Sequence, residues 1–124
     1  MKKKILLGVT GSISAYKSAE IARGLVGTGY DVQVVMTSNG ARFISPLTLE
    51  TLTKNKVYVD MFKDEDHSEV THINLANESD LILIAPASYN IIGKAAAGLA
   101  DDLLSTVIAA TSPEKLVFAP ARVQ

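Results

Sequence analysis

Three short polar segments carry the residue types that could do chemistry in this chain: Gly11-Ser12, Thr37-Ser38-Asn39 and Ser88-Tyr89-Asn90. Small hydroxyl and amide side chains beside glycine suit neutral hydrogen bonding to a polar ligand, and free N–H groups at a helix start attract phosphate. The missing Cβ at Gly11 lets the backbone turn tightly and lie against such a ligand. Each segment follows an apolar run: residues 5–9 (ILLGV), 30–36 (YDVQVVM) and 80–86 (DLILIAP). In open α/β sheets ligands sit outside the carboxyl ends of the strands, so the three segments would share one edge. The plainer use of the same residues is capping and turning between strand and helix, and their types alone fit both uses.

Named phosphate motifs do not extend the argument. The dinucleotide fingerprint G-x-G-x-x-G is absent, because Gly8-Val9-Thr10-Gly11 spaces its glycines wrongly. Residues 11–18 (GSISAYKS) come nearer to the nucleoside-triphosphate loop, but Tyr16 stands where its second glycine is required. A bulky side chain there obstructs the phosphate cradle. The run at 80–86 also ends in Ala85-Pro86 rather than a magnesium-binding aspartate, which argues against an NTPase. Residues 63–68 (KDEDHS) gather acids and His67 without ligand spacing and read as a solvated face, so no metal site is expected. Cysteine is absent, which excludes disulfides, thiolate metal sites and a cysteine nucleophile within these 124 residues.

With 48% hydrophobic and 20% charged residues, the chain has material for one domain with its own core. A formal net charge of -1 gives no general pull toward nucleic acid or an acidic membrane. Lys2-Lys3-Lys4 before Ile5-Leu6-Leu7 echoes a signal peptide, but the apolar run meets Thr10-Gly11-Ser12 too soon. Nothing approaches the ~20 apolar residues of a membrane span, and the chain reads as cytoplasmic.

The elements that must position the polar segments alternate regularly. Ala15, Ala19, Ala22 and Val26 recur at helical spacing with Lys17, Glu20 and Arg23 on another face, and Gly27-Thr28-Gly29 supplies the stop. A short helix runs through Phe43, and Ser45-Pro46 caps a helix reaching about Thr53. Residues 56–62 (KVYVDMF) read as a third strand, and Thr71 caps a short helix over residues 72–77, with His72 as a helix-surface histidine. Apolar positions 92, 96, 99, 103 and 107 predict a helix to about Ala110, broken in two by Gly98. Ala95-Ala96-Ala97 offers a small-residue face for core packing or a subunit contact. Pro113 ends the helix, and residues 116–120 (LVFAP) form a fifth strand. The expectation is an α/β fold: a doubly wound parallel sheet of about five strands in three layers. No helix follows the last strand, so the C-terminal part of such a domain is expected to be missing.

Several segments together resemble one family. Residues 11–17 (GSISAYK), Met36-Thr37, residues 71–75 (THINL), residues 86–90 (PASYN) and residues 97–104 (AGLADDLL) match, in order, the flavoprotein family of cysteine decarboxylases. The similarity is greatest to the phosphopantothenoylcysteine decarboxylase domain of coenzyme A biosynthesis and runs from about Lys4 to Ala121. The resemblance implies a Rossmann-like domain over residues 1–124 that binds FMN, as a homotrimer or trimer-based assembly with the flavin at subunit contacts. It implies flavin contacts at Gly11, Ser12 and Ile13, at Thr37, Ser38 and Asn39, at Ser88, Tyr89, Asn90 and Ile91, and at Ala121. His72 carries over as the active-site histidine. The implied reaction is FMN-dependent decarboxylation of a small cysteine-terminated substrate such as 4'-phosphopantothenoylcysteine, whose thiol is oxidised to a thioaldehyde before carbon dioxide leaves.

The sequence departs from the family after the fifth strand. Where the pattern reads Pro-Ala-Met-Asn, this chain reads Pro120-Ala121-Arg122-Val123, so Val123 replaces the asparagine that holds the substrate carboxylate. The later substrate clamp and the proton-donating cysteine are absent as well, and a truncated or internally deleted chain with impaired activity is expected. Two relatives of the same superfamily offer other readings. A flavin prenyltransferase is disfavoured by Ala15-Tyr16-Lys17, whereas a non-catalytic FMN-binding regulatory subunit is favoured by the missing asparagine and opposed by His72.

Overall fold

The computed structural model describes residues 2–59 and 69–120, the first five residues of the second stretch by backbone alone. Its centre is a five-stranded sheet in the order β3-β2-β1-β4-β5. The strands are β1 (Lys4–Val9), β2 (Asp31–Met36), β3 (Tyr58–Val59), β4 (Leu81–Ala87) and β5 (Leu116–Pro120), and every paired neighbour is parallel. Leu6, Leu7, Val9, Val32, Val34, Val35, Ile82 and Ile84 are fully buried. A parallel sheet covered on both faces demands such continuous apolar strands.

Alternation divides the core into two clusters. Leu7, Val9, Val32, Val34 and Met36 meet Ala15, Ala22 and Leu49 on one face. That layer comes from α1 (Lys17–Thr28) and α2 (Pro46–Thr53). Leu6, Ile82 and Ile84 meet Ile91, Leu103, Leu104, Val107 and Ile108 on the other, supplied by α3 (Glu69–Glu78), α4 (Tyr89–Ala97) and α5 (Leu103–Ala109). Gly8 points into this second cluster. A Cβ there would lie 2.7 Å from Ile84 Cδ1 and 2.9 Å from Leu104 Cδ1, so its bareness admits α5 against the central strand.

The expected helix ends largely hold. Gly29, at φ 106, stops α1; Ser45 accepts a hydrogen bond from Leu47 N and Pro46 opens α2. Gly98, at φ 72, ends α4 and so divides the long apolar stretch in two. Four expectations need correction. The first helix opens with a 3-10 turn, Ile13–Tyr16, before α1 proper. Thr71 is no cap, because α3 already begins at Glu69. Strand β4 passes through Pro86 to Ala87, where a register shift between Ile84 and Ala87 accommodates a residue that cannot donate. The single stripe 92-96-99-103-107 does not exist: Ala96 and Leu99 are exposed, since the turn at Gly98 resets the helical phase. Of the third strand only Tyr58–Val59 forms within the described residues, and residues 60–62 lie outside them.

Candidate functional site

The loops after β1, β2 and β4 are bound to one another before any ligand is considered. Thr10, buried at the end of β1, donates from Oγ1 to the carbonyl of Pro86 and accepts from Ser88 N at 2.8 Å. Thr37 N donates to Val9 O at 2.9 Å, joining the second loop to the first. At Gly11 a Cβ would come within 2.6 Å of Asn39 Nδ2, and at Gly40 within 2.6 Å of Val9 O. Glycine is thus required twice where the β1 and β2 loops touch. Thr10 was not among the expected site residues. A buried threonine closing a strand was its one sequence signal.

Capping and ligand-facing roles coexist here. Ser12 Oγ accepts from Ser14 N at 3.2 Å, Thr37 Oγ1 from Gly40 N at 2.9 Å, and Ser88 Oγ from Ile91 N at 3.2 Å. Yet Gly11, Thr37, Ser38, Asn39, Ser88, Asn90 and Ile91 together line one cavity of about 310 Å³ at the carboxyl edge of the sheet. Ser12, Ile13 and Tyr89 do not line it, and Ile13 and Tyr89 stand 77% and 69% exposed. His72 belongs to α3, with its side chain outside the described residues; Ala121 and Val123 also lie outside them.

Two further residues complete the lining, Lys94 and Asp102. Lys94 Nζ lies 3.0 Å from Asp101 Oδ1 and 3.1 Å from Asp102 Oδ2. Burial alone would lower the lysine's pKa, but the hydrogen bonds and charges of the two aspartates outweigh it and raise it above its ordinary value. The hydrogen bond from Lys94 lowers the Asp101 carboxyl. Asp102 also closes a capping box with Ser105 at the start of α5. A D-x-x-S pattern signals that cap in the sequence, whereas the partnership with Lys94 depends on the turn at Gly98. A larger hollow, about 830 Å³, lies between α4, α5 and β5, with mostly aliphatic walls including Ile92, Ala95, Leu99, Ile108 and Phe118. The smaller cavity is the better candidate because its polar groups converge from three loops. Among the described residues no three His, Cys, Asp or Glu side chains gather as a metal site would require.

The model of one protein family, described as Flavoprotein, matches residues 1–123. The chain belongs to the Flavoprotein family. Over 110 residues this flavoprotein is 51% identical to the coenzyme A biosynthesis bifunctional protein CoaBC of Borreliella burgdorferi, covering 89% of the chain and 28% of that protein. Over 122 residues it is 47% identical to a probable phosphopantothenoylcysteine decarboxylase of Streptococcus mutans, covering 98% of the chain and 68% of the relative. The flavoprotein therefore spans under a third of the bifunctional relative. Among solved structures, a PPC decarboxylase mutant complexed with pantothenoylaminoethenethiol superposes with TM-score 0.81 at 30% identity, over 99% of this chain and 69% of that one. MrsD from Bacillus sp. gives TM-score 0.84 at 28% identity, over 98% and 69%. The expected doubly wound Rossmann-like fold is the one observed.

Proposed function

We propose that this flavoprotein binds FMN in the cavity at the carboxyl edge and decarboxylates a cysteine-terminated substrate, 4'-phosphopantothenoylcysteine being the first choice. The observation that carries the reading is convergence: segments far apart in the chain, at Gly11, Thr37 to Asn39 and Ser88 to Ile91, line one cavity after β1, β2 and β4. The donor set fits the cofactor. Thr37, Ser38 and Asn39 with the glycine-backed Gly11 loop offer neutral donors to a phosphate, while the lining carboxylate of Asp102 is paired with Lys94. Ser12 and Ile13 would extend the phosphate end, and Ser88, Tyr89, Asn90 and Ile91 would hold the remainder, with Ala121 a further contact. Exposed Ile13 and Tyr89 are suited to cover a flat ring or to meet a neighbouring subunit, as a homotrimer would require.

When bound, FMN supplies a two-electron acceptor for the carbon bearing the substrate thiol, which makes loss of the adjacent carboxylate feasible. The chain's own part is positioning and proton handling. His72 is assigned the base that takes the thiol proton at an imidazole nitrogen. The PPC decarboxylase and FMN-dependent cysteine decarboxylase SpaF among the structural relatives support both cofactor and substrate class. A cytoplasmic location belongs to the same reading, and no helix among the described residues is long and apolar enough to cross a membrane.

The test is direct. The purified chain should be yellow and release FMN on denaturation, identified by chromatography and mass. Because Val123 is expected to impair turnover, carbon dioxide release from 4'-phosphopantothenoylcysteine is read on a version carrying the family's Pro-Ala-Met-Asn and the segment beyond it. Failure to reconstitute with FMN would sink the proposal. FMN uptake without carbon dioxide release would favour the regulatory-subunit reading instead. His72→Asn should abolish turnover while flavin content stays nearly unchanged; a parallel loss of both would make His72 structural.

A further inference from the structure

Between α4 and α5 the chain has little packing to hold it. Residues 96–100 are exposed, and Gly98 turns the backbone in a left-handed conformation. Backbone hydrogen bonds hold the end of α4 itself, including Leu99 N to Lys94 O at 2.9 Å. What reaches across the break is Lys94. Its side chain is 16% exposed, and its ammonium contacts Asp102, itself 13% exposed, and the more open Asp101. Asp102 divides its oxygens, Oδ2 accepting from Lys94 at 3.1 Å and Oδ1 from Ser105 N at 2.8 Å. The same Lys94 borders both the candidate cofactor cavity and the aliphatic hollow, so its stem forms part of the wall between them.

We infer that Lys94 is a positioning residue for the cofactor cavity: by gripping Asp101 and Asp102 it locks α4 to the start of α5 and thereby fixes Ser88, Asn90 and Ile91. The inference rests on the reading that this cavity holds FMN. Removing the ammonium would do two things at once. It would release the C-terminal half of α4, and it would leave two carboxylates uncompensated beside a cavity meant for a phosphate-bearing ligand. Arginine can restore the grip, since a guanidinium also serves two carboxylates.

The experiment uses the whole chain and compares Lys94→Met, Lys94→Arg and Asp101→Asn. Hydrogen–deuterium exchange of the α4 amides is read without cofactor, and FMN affinity and the visible spectrum of bound flavin are read by titration. Lys94→Met is expected to speed exchange in the C-terminal half of α4 and, through it, in the first turn, raise the Kd for FMN at least about tenfold and change the bound spectrum, with Lys94→Arg restoring all three. A lysine that merely stabilises the fold would lower Tm and leave Kd and spectrum alone, and that result overturns the inference. Should Lys94→Met fail to fold, Asp101→Asn keeps the lysine and the capping box and is expected to raise Kd about threefold; unchanged exchange and Kd there overturn it too. If the unmodified chain takes up no FMN, the proposed function falls, and the exchange measurement alone still decides whether Lys94 fixes α4.

Discussion

Gly11 and Gly40 stand at the same junction but would fail in different ways. A Cβ at Gly40 meets Val9 O, the backbone of the central strand, at 2.6 Å, whereas one at Gly11 meets the side chain of Asn39. Backbone in the middle of a sheet cannot yield, so Gly40→Ala is expected to destabilise the fold by about 2 kcal/mol, read as a lowered Tm. The contact at Gly11 includes Asn39 Cβ at 2.8 Å, which no side-chain rotation moves, so the β2 loop itself must shift and take Asn39 out of the cavity wall. Gly11→Ala should therefore keep most of the stability and lose most of the FMN affinity; the opposite ranking would mean the Gly11 loop does not face the ligand. Ser18 gives a prediction of opposite sign. Its hydroxyl is buried in α1 and, among the described residues, has no hydrogen-bond partner. Ser18→Ala removes an unsatisfied group and improves helix propensity, so thermal unfolding should show a gain of about 1 kcal/mol. A loss would reveal a partner supplied by a ligand or a second subunit.

At the scale of elements, the sequence was legible wherever one local rule acted alone. Leu116–Pro120 and Pro46–Thr53 appear as expected, because an apolar run bounded by turn residues, or Ser-Pro before a helix, leaves few alternatives. Reading failed where elements act together. Helix α3 was expected to begin too late, since its start continues a polar run whose spacing carries no apolar stripe. The stripe through Ala96 and Leu99 was false, because Gly98 rotates one helix against the next. That same turn hid Lys94 and Asp102 as cavity residues. The pairing of Lys94 with Asp101 makes stability depend on pH in a definite direction. Asp101 titrates below its ordinary 3.8, chiefly through the hydrogen bond from Lys94, so its contribution is present above that value and lost as pH falls through the lowered one. Lys94, raised above 10.5, contributes below that value and loses its contribution as pH rises through the higher one. Lys94 and Asp101 are both charged throughout the window between. The Tm difference between the unmodified chain and Asp101→Asn should thus be present at neutral pH, small because Asp101 is exposed, and vanish in acid well below 3.8. A difference that persists unchanged into that acid range would show that charge is not its source.

For the molecule as a whole, strand order explains why three distant segments meet. With β2 on one side of β1 and β4 on the other, the chain leaves the central strand in opposite directions, and the crevice opens where those connections part. The sheet thus presents the β1, β2 and β4 loops at its middle, and the fixed contacts among Thr10, Pro86, Ser88, Val9 and Thr37 keep that edge formed without a ligand. A preformed edge of neutral donors has a measurable consequence. FMN at about a hundred times its Kd should stabilise the chain by about 2.7 kcal/mol, a rise in Tm of roughly 10 °C for a domain of this size. Riboflavin, which lacks the phosphate, should give little of that rise, since the Gly11 and Thr37 loops would have nothing to hold. The two charged residues of the lining, Lys94 and Asp102, already satisfy one another, so the phosphate would be held by dipoles rather than by a free cation. Affinity should accordingly change by less than about threefold between low and moderate salt, where a phosphate held by exposed lysines or arginines would weaken much more. Equal stabilisation by riboflavin would remove the phosphate from these loops, and a steep salt dependence would require a cation from outside the described residues.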